Sequence, residues 1–84
     1  MGDAMDSGSI MEFAGLYLLK HKYLTTPSLQ RFIMNRIEVG KAISPEEIEI
    51  ALDKLRYAGF IEQVLKDQDG WTVYAKDKRT NANL

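Results

Sequence analysis

Residues 44–76 constrain the fold of this 84-residue chain more than any other stretch, because they spell a helix start, a helix stop and a chain reversal in succession. Ser44-Pro45-Glu46-Glu47 is a helix entry. The Ser44 hydroxyl is placed to accept from the Glu47 amide, Pro45 brings a preset φ to the first helical position, and Glu47 can reach back to the Ser44 amide. Ile48, Ala51, Leu52 and Leu55 then recur at helical spacing, and Gly59 stands where a left-handed C-terminal residue belongs. Phe60-Ile61 leads into a strand, Asp67-Gln68-Asp69-Gly70 reverses the chain, and Trp71-Thr72-Val73-Tyr74 returns. The hairpin has two competing registers. A two-residue Asp69-Gly70 turn sets Leu65 opposite Tyr74; a four-residue loop from Asp67 to Gly70 sets Val64 opposite Val73 and Trp71 opposite Lys66. A one-residue slip exchanges the two faces, so the buried set follows the register.

Upstream, residues 1–9 are small and polar and read as a disordered leader, compatible with an expression leader ahead of a natural start at Met11. A first helix is expected from about Ile10 to Lys22. Ile10, Phe13, Ala14, Tyr17 and Leu18 form its stripe, while Met11, Leu16 and Leu19 lie off it. A helix apolar nearly all round must be covered on more than one side: either the domain folds around it or part of it is a homodimer contact, the second being the reading a small domain favours. Tyr23-Leu24-Thr25 is a brief extended link. A second helix opens at Thr26-Pro27, with the threonine as cap and the proline first in the helix, and Gly40 is expected to end it. The expected core is Phe13, Tyr17, Leu29, Phe32, Ile33, Ile37, Ile48, Leu52, Leu55 and Ile61, and residues 78–84 read as a frayed polar tail.

The inventory excludes several classes of function. There is no cysteine, so disulfides and thiolate metal sites are ruled out, and one histidine cannot make a histidine cluster. Neither a cofactor site nor a metal site is expected. The serines lie in the leader or at helix starts, and His21 has no base-orienting neighbour, so the chain does not read as an enzyme. The apolar run from Ile10 to Leu19 is too short to span a bilayer and follows no basic segment; the expectation is a cytoplasmic protein with no membrane partner. Net charge is −1, but the charges are segregated. Residues 42–69 set Glu46, Glu47, Glu49, Asp53, Glu62, Asp67 and Asp69 against Lys54, Arg56 and Lys66. Residues 10–41 are basic, with Lys20, Lys22, Arg31, Arg36 and Lys41 against Glu12 and Glu38.

The order of elements is helix, short strand, helix, helix, hairpin. With KYLTTPSLQRFI entering the second helix and SPEEIEIALDKLRYAGFIE forming the third and its exit, that order resembles the winged helix-turn-helix superfamily over residues 10–77. The most telling piece is the Ala51–Glu62 pattern, similar to the recognition-helix exit of small prokaryotic regulators. The resemblance implies an α+β winged helix: a three-helix core, a short strand and a two-stranded wing. It also implies sequence-specific binding of double-stranded DNA by a small transcriptional or replication regulator, with the third helix in the major groove. The residues placed for DNA are Thr26, Ser28, Arg31, Lys41, Ser44, Lys54, Tyr57 and Lys66. The third helix is acidic on its outward side, however, and carboxylates repel phosphate. The alternative is therefore a protein-interaction or adaptor module using Glu46, Glu49, Ile50, Asp53, Tyr57 and Trp71.

Overall fold

The computed structural model describes residues 6–37 and 43–78. Three helices and a three-stranded antiparallel sheet make an α+β fold: α1 (Ser7–Lys20), β1 (Tyr23–Leu24), α2 (Thr26–Met34), α3 (Pro45–Tyr57), β2 (Ile61–Lys66) and β3 (Thr72–Lys76). The sheet order is β1-β3-β2, so the short first strand extends the hairpin.

Each helix begins on a side-chain cap. Asp6 accepts from the Ser9 amide at 2.8 Å, so α1 starts at Ser7 and residues 7–9, expected in a leader, are its first turn. Residues 1–5 of that leader, and residues 79–84 of the expected tail, lie outside the described residues. The other end of α1 also differs from expectation: it stops at Lys20, and His21 is already extended. In α2 the cap is Thr25, one residue earlier than expected. Thr25 and Ser28 exchange reciprocal bonds, the Ser28 amide donating to Thr25 Oγ1 at 3.3 Å and the Thr25 amide to Ser28 Oγ at 3.0 Å. Thr26 thereby becomes the first helical residue and Pro27 the second. The helix gives way at Asn35, and Gly40 lies outside the described residues. In α3 the expected box forms: the Glu47 amide donates to Ser44 Oγ at 3.2 Å and the Ser44 amide to Glu47 Oε1 at 3.1 Å. The helix ends as expected with Gly59 at φ 85°.

The fully buried side chains are Ile10, Leu24, Leu29, Ile33, Ile48 and Leu52, joined by Ala14 and Ala51. Ala14 on α1 and Ala51 on α3 are small side chains at fully buried positions, which lets neighbouring elements approach closely. Leu29, Ile33, Ile48, Leu52 and Ile61 lie in the core as expected. Phe13, Tyr17, Phe32, Ile37 and Leu55 are only partly buried and pack around it. The aromatic rings close the α1–α2 seam instead, Phe32 meeting Phe13 and Tyr17 edge to face with centroids 6.3 and 5.1 Å away. Arg36 lies over Phe32 at 3.7 Å and donates to its carbonyl.

The hairpin adopts neither expected register throughout. Ile61, Glu62 and Gln63 pair with Lys76, Ala75 and Tyr74, the register of the four-residue loop. Past Val64 the pairing slips by one, to Leu65 with Val73 and Lys66 with Thr72. A bulge between Gln63 and Leu65 absorbs the extra residue. The loop is consequently Gln68-Asp69-Gly70, with Gly70 at φ 87° and the Gly70 amide bonded to the Asp67 carbonyl. Asp67 Oδ1 accepts from both the Asp69 and Trp71 amides at 3.0 and 2.9 Å, which locks the turn.

Candidate functional site

The expected DNA-contacting set does not assemble. Thr26 is 3% exposed, which removes it from any surface. Ser28 and Ser44 are spent on caps: Ser28 Oγ donates to the Thr25 carbonyl at 2.9 Å, and Ser44 Oγ lies 3.2 Å from the Glu47 carboxylate. Lys54 Nζ donates to Ser7 Oγ at 2.9 Å, tying α3 to the start of α1. Arg31, Tyr57 and Lys66 are exposed, and Lys41 lies outside the described residues. The hydroxyls singled out for phosphate are thus the ones the helix entries consume. Ser and Thr next to Pro at a helix start are caps first, and a helix entry offers a phosphate only the amides that its own cap leaves open.

The alternative set is better gathered. Ile48 and Leu52 face the core, and α3 therefore turns Glu46, Glu49, Ile50, Asp53 and Tyr57 outward, all exposed. Glu46, Ile50, Asp53 and Tyr57 follow one another at four-, three- and four-residue steps, which is a single stripe of a helix. Ile50 is 54% exposed and Tyr57 83%. Arg56 holds the end of this stripe, with its guanidinium 5.1 Å from the Tyr57 ring centre and 3.8 Å from the Asp53 carboxylate. Trp71, the remaining member of the alternative set, lies in the hairpin rather than on α3. It is half-buried just past the hairpin loop, and its amide donates to Asp67 Oδ1.

Two surface features have no counterpart among the sequence-based expectations. An apolar slot of about 150 Å³ runs between α1 and the exit of α3, lined by Ala14, Gly15, Leu18, Leu19, Leu55 and Phe60 together with Ile61 and Lys76. It opens into a broad groove of about 720 Å³ at the C-terminal end of α1. Lys20, His21, Lys22, Lys76 and Lys78 line that groove, with Glu62 the one acid among the described residues there. Lys20 and Lys22 are readable from the sequence as helix-end cations. Their convergence with Lys76 and Lys78 depends on β3 lying beside β1, with Tyr23 paired to Ala75, a pairing between distant parts of the chain.

Among the described residues no group of three His, Asp or Glu side chains is placed to hold a metal ion, and no helix is long and apolar enough to cross a membrane. No family model, curated protein or solved structure matches this chain.

Proposed function

We propose that this chain is a winged helix, with β2 and β3 as the wing, that docks a protein partner through the outward face of α3. One observation carries the reading: the helix that would enter the major groove presents Glu46, Glu49, Ile50, Asp53 and Tyr57 to solvent. The carboxylates on that face would meet phosphates across the groove, whereas an exposed Ile and Tyr flanked by charge is the composition of a protein-binding patch. Duplex DNA stays as a second reading because Lys20, Lys22, Lys76 and Lys78 line a cationic groove away from α3, and Lys66 is a further exposed cation on the wing.

A titration with labelled mixed-sequence duplex, at low and then physiological salt, separates the two readings. The protein reading expects negligible binding at physiological salt, and capture of a partner from the source lysate that Tyr57→Ala abolishes and Lys66→Glu leaves intact. Tight, steeply salt-dependent duplex binding that Lys66→Glu weakens would overturn it, the slope falling by about one unit for each phosphate the variant no longer neutralises.

A further inference from the structure

The slot and the lysine groove share Leu18, Leu19 and Lys76 and so form one continuous surface. Its apolar part is deep enough for side chains because Gly15 contributes none, and a Cβ there would meet nothing within 4 Å. Leu19, 75% exposed, and Phe60, 53% exposed, stand at its edges. Its other part is cationic, and among the described residues Lys20, Lys22, Lys76 and Lys78 make neither an ion pair nor a side-chain hydrogen bond. Such a surface suits an acidic amphipathic helix: apolar side chains for the slot and carboxylates for the rim.

This chain carries a helix face of that description. Along α3, Ile50 and Tyr57 stand seven residues apart, about 10 Å, on the stripe that also bears Glu46 and Asp53, with Glu49 beside it. The acids and the lysines are opposite in sign, both are solvent-exposed, and each set lies next to exposed apolar side chains. We propose that the slot and lysine groove at the C-terminal end of α1 receive the outward face of α3 from a second copy of this chain. The interface pairs two different surfaces, so every copy carries one donor face and one acceptor groove. This rests on the reading of α3 as a protein-binding face and names its partner.

Sedimentation equilibrium of the whole chain at low and high ionic strength tests it. Self-association at low salt should weaken as salt screens the rim charges. Lys22→Gln with Lys76→Gln should weaken it roughly fivefold, as expected for two exposed ion pairs. Ile50→Ser with Tyr57→Ser should weaken it about thirtyfold or more, as for removal of a binding anchor. All four residues are surface-exposed, and an unchanged circular dichroism spectrum and melting temperature would confirm that each variant folds. The diagnostic step is mixing. The lysine variant keeps a donor face and the α3 variant keeps an acceptor groove, so the two should associate with each other better than either does with itself. A monomer at every salt concentration overturns the proposal, as does association that neither variant alters. Binding of labelled single- or double-stranded DNA that disappears in the lysine variant would also overturn it, by giving the groove to nucleic acid. A wild-type monomer whose partner capture is still abolished by Tyr57→Ala would sink this inference alone and leave the reading of α3 standing.

Discussion

At Asp6 protonation touches the fold through a helix cap. Its carboxylate caps α1, and the hydrogen bond from the Ser9 backbone amide, with help from the Ser9 side chain, holds its pKa below the ordinary aspartate value. A group depressed in the folded state stabilises that state above its unfolded pKa and loses the contribution as pH falls through the folded one. The start of α1 should therefore be tightest at neutral pH and loosen in acid, below the usual aspartate range. The Ser9 amide resonance should titrate with that low midpoint, and Asp6→Asn, which still caps, should remove the titration. A Ser9 amide indifferent to pH would mean that the cap is not formed. Residue by residue, the caps are the most legible part of the sequence, since Ser44 and Glu47 bond as their spacing requires. The same chemistry explains why the candidate site is harder to read. A serine that looks free in a sequence is already committed once the helix forms, as Ser28 is to Thr25.

At the scale of elements, glycine separates the positions that need it from those that do not. Gly15 lies in the middle of α1, and a Cβ there has open space. Gly15→Ala should raise stability by about 0.5–1 kcal/mol, because alanine loses less backbone freedom on entering a helix. Gly70 is also unobstructed, but its φ of 87° is one that an L side chain rarely adopts. Gly70→Ala should cost about 1 kcal/mol or more, with the effect centred on the hairpin. Chemical denaturation midpoints of opposite sign for the two variants would check both, and a shared sign would contradict one of them. The order of elements and both ends of α3 can be read because periodicity and caps are local. The register of β2 against β3 cannot, because the slip at Val64 leaves no mark in residue type. Core membership is legible for Leu29, Ile33, Ile48, Leu52 and Ile61, while Ile37 and Leu55 join Phe13, Tyr17 and Phe32 at its margin. Phe13, Tyr17 and Phe32 are large enough to roof a seam, while Ala14 and Ala51 lie fully buried beneath.

For the whole molecule, the arrangement makes one core answer for every element. Leu52 and Ile48 from α3, Ile10 and Ala14 from α1, Leu29 and Ile33 from α2, Leu24 from β1, and Ile61 and Tyr74 from the hairpin belong to a single cluster. Two hydrogen bonds reinforce that unity. The Asp77 amide donates to the Phe60 carbonyl at 2.9 Å, closing the hairpin against the exit of α3, and Gln30 Nε2 on α2 reaches the Ile43 carbonyl at 3.1 Å, steadying the entry to α3. A domain of this size has a total stability of about 5–15 kcal/mol, so one large cavity is a substantial fraction of it. Leu52→Ala, at a fully buried position, should cost about 2–5 kcal/mol. Because α1, α2 and the hairpin share that core, the destabilisation should fall on all of them together. Trp71, the single tryptophan, reports on the hairpin by its fluorescence, and far-ultraviolet circular dichroism reports on the helices. In both the wild type and the variant the two signals should trace one transition, shifted to lower denaturant by the substitution. If the Trp71 transition came first, the hairpin would be a separate unit resting on a three-helix core. If Leu52→Ala left the midpoint where it was, the side chain would not be in the core at all.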